Sequence, residues 1–210
     1  MRKYDSIIFD LDGTLWDATE ATAEGWNAAL SLTDLANFRV TADDIRGVCG
    51  LPFSDCITSL FGHLDDVDCH ALEPLLDEKE KFSIEVSGGV VFPDVVEGLQ
   101  QLSGSYGLYL VSNCQSWYLQ SFWQQYAVEH LFKGQDCYGD SGVGKSEMIR
   151  LLVQQHNLQN PIYIGDTQGD QEATESAGAQ FGYAAYGFGD VKEARIAFNT
   201  FRQLIDYFMK

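Results

Sequence analysis

Three short runs of consecutive apolar residues punctuate the chain, and each stops abruptly at polar ones. Ile7-Ile8-Phe9 closes on Asp10, with Gly13 just beyond; Tyr109-Leu110-Val111 closes on Ser112-Asn113; Ile162-Tyr163-Ile164 closes on Gly165-Asp166. Apolar runs of this length, bounded by turn residues, predict strands buried on both faces. Weaker strand candidates fall at 135–138 and 180–185. Between them, apolar residues recur at helical spacing over 95–102, 117–126, 146–156, 171–177 and, at the close, around 198–208. Strands alternating with helices predict an α/β fold: a doubly wound parallel sheet, a Rossmann-like core covered on both faces. Ligands of such sheets bind outside the carboxyl ends of the strands. The polar stops fall at those ends.

Residues 16–87 break the rhythm. Leu30, Leu32, Leu35, Ile57, Leu60, Phe61, Leu72, Leu75 and Leu76 keep helical spacing, and no convincing strand stands among them. Gly88-Gly89 and Pro93 mark the return to alternation. The expectation is a core formed by 1–15 and 88–210, with 16–87 inserted after the first strand as an α-helical cap. Trp16, Trp26, Trp117 and Trp123 read as core or cap-interface packing.

Composition narrows the partners. The 210 residues are 45% hydrophobic and 13% aromatic, enough for a packed core, so a disordered chain is excluded. Lys and Arg number 13 against 31 Asp and Glu, a net charge of −18, which argues against nucleic acid or an anionic membrane as partner. Cys49, Cys56, Cys69, Cys114 and Cys137 are odd in number and contain no C-x-x-C, so they read as reduced thiols and neither a disulfide framework nor a zinc site. His63, His70, His130 and His156 have no metal-like spacing. The first residues do not read as a signal peptide, and no stretch approaches the ~18 consecutive apolar residues of a membrane span. A cytoplasmic monomer is the expectation.

Asp10-Leu11-Asp12-Gly13-Thr14 is the sharpest chemical signal. Two carboxylates one residue apart, leaving a buried strand, converge on a small volume and need a cation or a shared proton. Gly13 lets the backbone approach a ligand. Gly165-Asp166-Thr167-Gln168-Gly169-Asp170 supplies a second acidic loop, and hard oxygen ligands suit Mg²⁺. Each segment also has a plain reading: a solvated turn, a helix cap at Ser112-Asn113, a surface lysine at Lys145. Gly139 to Ser146 also satisfies the G-x-x-x-x-G-K-[ST] pattern of a nucleotide-binding P-loop. Against it, the segment before Gly139 is a poor buried strand, and residues 10–14 go unexplained.

Taken in order, the segments resemble the haloacid dehalogenase-like superfamily, specifically its phosphoglycolate phosphatase-like enzymes with an α-helical cap after the first motif. Asp10 to Leu15 match the first motif, Ser112 the second, Lys145 the third, and Gly165-Asp166 with Asp170 the fourth. The resemblance implies an Mg²⁺-dependent phosphatase acting on a small phosphorylated metabolite. Asp10 would be the nucleophile and Asp12 the general acid and base. The metal residues implied are Asp10, Asp166, Asp12 through its backbone carbonyl, and Asp170, which could instead orient Lys145 or a bound water. Ser112 and Lys145, with Asn113, Gly13 and Thr14, would hold the phosphate oxygens. Asp12 points away from a dehalogenase, since a departing halide needs no proton. A sugar-phosphate mutase of the same superfamily would carry a Ser-Arg signature in the cap, where this chain reads Gly50-Leu51-Pro52-Phe53-Ser54-Asp55. A phosphonatase would need a reactive cap lysine, whereas Lys79 and Lys81 sit in Asp77-Glu78-Lys79-Glu80-Lys81, which reads as a solvated helix face. Were the substrate to carry a second anion, Arg46 is the cap cation expected to meet it. A family member that binds partners without catalysis is disfavoured by the full set of motif residues.

Overall fold

The apolar runs become the centre of a sheet because no position along them offers a polar side chain to water. In the computed structural model, which describes residues 3–63 and 68–210, β1 (Ser6–Phe9), β4 (Gly107–Ser112) and β6 (Pro161–Gly165) are buried at every residue. Met1 and Arg2, the start of the segment read against a signal peptide, and residues 64–67 of the 16–87 insert lie outside the described residues. The elements run β1, β2 (Trp16–Asp17), α1 (Thr19–Leu30), α2 (Ala42–Arg46), α3 (Phe53–Phe61), α4 (Cys69–Ser87), β3 (Val90–Val91), α5 (Val95–Ser103), β4, α6 (Ser116–Tyr126), β5 (Phe132–Cys137), α7 (Tyr138–Ser141), α8 (Lys145–Gln155), β6, α9 (Gln168–Ser176), β7 (Gln180–Ala184), β8 (Ala197–Phe198) and α10 (Phe201–Phe208). Six strands pair in the order β5-β4-β1-β6-β7-β8, all parallel. The chain is thus a doubly wound α/β protein.

The period of two in each strand divides the core. Ile7, Phe9, Leu108, Leu110, Ile162 and Ile164 face α5, α6 and α10, while Ile8, Tyr109, Val111 and Tyr163 face α8 and α9. A separate cluster built on Trp26, Leu30, Ile45, Ile57, Phe61 and Leu76 holds α1 to α4 together. Within it α1 and α4 approach so closely that a Cβ on Gly25 would collide with the Glu80 backbone.

Two expectations need correction. Trp16–Asp17 pairs antiparallel with Val90–Val91, so the 16–87 stretch does contain a strand. Two-residue strands carry no periodicity to detect; the Trp16 ring fixes this one by packing on Tyr118 and Phe122. The closing segment 198–208 is not helical throughout either. Ala197–Phe198 joins the sheet edge beside β7, and the helix starts at Phe201, where the Thr200 hydroxyl caps it by accepting from the Gln203 N–H. All five cysteines are free. Among the described residues no helix is long and apolar enough to cross a membrane.

Candidate active site

Asp10 follows β1 directly, and its N–H donates to the Ile164 carbonyl of the neighbouring strand. The chain then folds back on the Leu11 carbonyl, which accepts from the Thr14, Leu15 and Trp16 N–H groups. Gly13 makes this turn at φ +73°, and any Cβ there would strike the Asp166 carboxylate. Only glycine fits.

Asp166 leaves β6 on the adjacent strand. Thr167 caps α9 through a reciprocal box with Asp170, which brings the Asp170 carboxylate back over the strand end. One oxygen each of Asp10, Asp166 and Asp170 lies within 4.8 Å of the others, and all three residues are buried. Lys145, the first residue of α8, reaches into this group: its Nζ donates to Asp10 Oδ1 at 2.8 Å and Asp170 Oδ1 at 2.6 Å. The Tyr163 hydroxyl donates to the Val111 carbonyl at 2.9 Å and lies 3.3 Å from Asp10 Oδ1, closing the floor.

Three carboxylates stand against one ammonium, and two of them, Asp10 and Asp166, bind protons more tightly than usual. Burial holds the Asp10 carboxyl well above the ordinary carboxylate range, against the pull of Lys145. Asp166 is pushed up to about 7, by burial first and then by Asp170. Its Oδ2 accepts from the Phe188 and Gly189 N–H groups, but its Oδ1 is buried without a partner. A partnerless buried carboxylate oxygen facing two more carboxylates is what a hard divalent cation satisfies. The donor set therefore fits Mg²⁺.

Asp12 lines the cavity beside Asp10. The Tyr118 hydroxyl donates to its Oδ1 at 2.6 Å, and burial, opposed by that bond, raises its carboxyl to about 6. Ser112 ends β4 on the same cavity, which lies between the sheet edge and the helices of 16–87.

Other expected residues are placed differently. Asn113 donates through Nδ2 to the Gly50 carbonyl at 2.7 Å, tying the sheet edge to the helical segment; its Oδ1 is buried and unpartnered. Neither Gly13 nor Thr14 is among the cavity's walls; Gly13 stands against the Asp166 carboxylate, and the Thr14 carbonyl accepts from the Tyr186 hydroxyl. Asp170 lies within the acidic group, yet Lys145 takes Oδ1 while the Asp166 and Thr167 N–H groups and the Thr167 hydroxyl take Oδ2. Arg46 is not among the residues that line the cavity. Its guanidinium pairs with Asp17 and Asp43, stacks over Phe188 and lines a separate surface depression. The acidic neighbours nearer to it explain this. The P-loop pattern is also spent otherwise: Gly139 to Ser146 passes through one-turn α7 into α8, behind edge strand β5, and Lys145 is held by carboxylates.

Three residues here escaped the sequence. Tyr118 and Tyr163 lie in apolar patterns that hide a hydroxyl's role. Glu80 belongs to the run read as a solvated face, but of that run only Glu78 and Lys81 are exposed; Glu80 is 5% exposed and lines the cavity. Trp26 Nε1 donates to its Oε2 at 2.7 Å and the Thr22 hydroxyl to its Oε1 at 3.2 Å. Burial pushes its carboxyl from an ordinary value near 4.5 to about 7. The folded protein thus holds this proton more tightly than the unfolded chain, so stability falls as pH rises from about 4.5 to about 7. The expected loss is about 3 kcal/mol, and Glu80→Gln should remove that slope. Urea unfolding of both proteins at pH 5 and pH 8 measures it; parallel pH dependences would remove Glu80 as the cause.

The family model described as haloacid dehalogenase-like hydrolase matches residues 7–184. Over 204 residues the chain is 26% identical to a 5'-nucleotidase of Pseudomonas aeruginosa, covering 92% of this chain and 88% of that one. Over 221 residues it is 25% identical to a phosphoglycolate phosphatase of Psychrobacter arcticus, covering 97% and 95%. Among solved structures, a haloacid dehalogenase-like family protein of Streptococcus pneumoniae superposes with a TM-score of 0.85 at 24% identity, over 99% of this chain and all of that one.

Proposed function

The chain belongs to the haloacid dehalogenase-like hydrolases of the phosphoglycolate phosphatase-like type and is a phosphoric monoester hydrolase; from that premise we propose that Asp10 is its nucleophile and Asp12 its general acid and base. The observation that carries this assignment is the buried group of Asp10, Asp166 and Asp170 with Lys145 inside it and Asp166 Oδ1 unpartnered. Lys145 and Tyr163 engage Asp10 Oδ1, so Oδ2 is the oxygen left to attack phosphorus. The P–O bond to the leaving group breaks as the aspartyl-phosphate forms, and Asp12 gives its proton to the departing alkoxide. Asp12 then takes a proton from the water that hydrolyses the acyl phosphate. A carboxyl near 6 suits both duties at neutral pH.

Held by Asp166, Asp10 and the Asp12 carbonyl, Mg²⁺ would supply the positive charge that lets an anionic ester approach a carboxylate. Asp170 acts on Lys145, fixing the ammonium where Asp10 and the phosphate oxygens meet. Ser112 and the loop at Gly13 complete the phosphate cradle. The helical segment 16–87 is proposed as a cap that excludes water, joined to the sheet edge by the Asn113–Gly50 bond and by Trp117 Nε1 donating to Asp77. Free cysteines support a cytoplasmic setting.

Phosphate release from a panel of small phosphomonoesters, with EDTA and after Mg²⁺ is restored, tests this reading. Turnover that survives EDTA unchanged would overturn the metal assignment, and no turnover on any ester would overturn the reaction. A finer test is Tyr118→Phe. Loss of its hydrogen bond removes the influence that lowers the Asp12 carboxyl, so the limbs of the pH–rate profile governed by Asp12 should move upward. The expected fall in kcat is roughly tenfold, at the low end of general acid–base contributions. An unmoved profile would show that Tyr118 does not position Asp12.

A further inference from the structure

The cavity above the acidic group has two ends. Asp10, Asp12 and Ser112 form the reacting end, and Glu80 with Thr22 and Trp26 forms the other. Apolar side chains such as Ile45, Val48 and Phe53 make the walls between them. Among the described residues lining it, the charged ones are Asp10, Asp12 and Glu80; none is Lys, Arg or His. The cations of the helical segment are engaged or turned outward: Arg46 pairs with Asp17 and Asp43, Lys79 with Glu78, Arg39 donates to backbone carbonyls, and Lys81 is exposed.

Resting on the phosphatase reading, we propose that the substrate's leaving group bears no second negative charge and presents a hydrogen-bond donor, a hydroxyl or an ammonium, to Glu80. A carboxylate has about four acceptor positions, and Trp26 and Thr22 occupy two. Buried among apolar walls, Glu80 gains from any donor that enters. An entering carboxylate or phosphate meets a like charge with no counter-ion beside it, which is selection by repulsion. Glu80 is accordingly a specificity-determining residue.

Three esters with two-carbon leaving groups isolate the charge: 2-hydroxyethyl phosphate, phosphoethanolamine and phosphoglycolate, assayed at pH 8 with Mg²⁺. That pH lies above the value near 7 to which burial raises Glu80. Wild-type protein should show at least tenfold higher kcat/KM on the first two than on phosphoglycolate, expressed mainly in KM. In Glu80→Gln the gap should narrow at least threefold, with phosphoglycolate gaining relative to the others. Preference for phosphoglycolate by the wild-type protein overturns the proposal without any variant, so a Glu80→Gln that fails to fold leaves it falsifiable. An unchanged ranking in a folded Glu80→Gln also overturns it. p-Nitrophenyl phosphate separates the two levels: if it is cleaved while the ranking fails, this inference alone falls; if no ester is cleaved, the phosphatase reading falls and takes this inference with it.

Discussion

Purified Asp10→Asn is expected to lose at least ~10⁴-fold in kcat on every phosphomonoester the wild-type protein cleaves, because an amide cannot form the acyl phosphate. The change is nearly isosteric, and the site tolerates it. Lys145 keeps Asp170 as partner, and the buried group loses one of its three competing charges. Thermal unfolding should therefore show a variant at least as stable as wild type when no divalent ion is added. Stability kept and turnover lost is the signature of a nucleophile, and phosphate-release assays paired with a melting curve read both. A folded Asp10→Asn retaining a tenth of wild-type turnover would move the nucleophile elsewhere.

Lys145→Met should fail in both respects. The ammonium is the only cation bonded to Asp10 and Asp170 among the described residues, and its own proton is held more tightly than usual because both carboxylates flank it. Breaking a buried pair by removing one partner costs ~3–5 kcal/mol, and the Asp10 carboxyl, already raised by burial, loses the ammonium that lowers it. Asp10 would then be protonated more of the time and nucleophilic less. A fall in kcat of ~10²–10³-fold is expected, comparable to loss of a main electrostatic contact in a transition state. The sign of the pH effect is specific. With the Asp10 carboxyl raised further the folded variant binds more protons than its unfolded chain, so its stability should fall more steeply than wild type's from pH 5 to pH 8. Urea unfolding without added metal measures this, and equal slopes would mean that Lys145 does not govern the Asp10 carboxyl.

The parts of the fold visible in the sequence were those with a strong local cause. β1, β4 and β6 are apolar at consecutive positions because both faces are covered, and their polar stops mark the site. Asp10, Asp12, Asp166 and Lys145 were legible for the same reason: each follows a strand or opens a helix, where a chemical side chain costs the core nothing. The β2–β3 pair was not legible, since Trp16–Asp17 finds Val90–Val91 only after the whole helical segment has been traversed. The pairing of Arg46 with Asp17 and Asp43 was not legible either, because a cation near a glycine loop says nothing about which carboxylate is nearest. Glu80 was hidden by composition: four charged neighbours in a row describe a wet helix face, and burial of the residue among them depends on where α1 lies.

That dependence reaches beyond Glu80 itself. The carboxylate hangs from main chain that is pressed against main chain at Gly25. A methyl group at position 25 would pry the two helices apart and retract the distal acid, leaving Asp10 and its partners where they are. A lineage could in this way trade one metabolite for another through a residue that never touches either, while the bond-breaking apparatus is inherited intact.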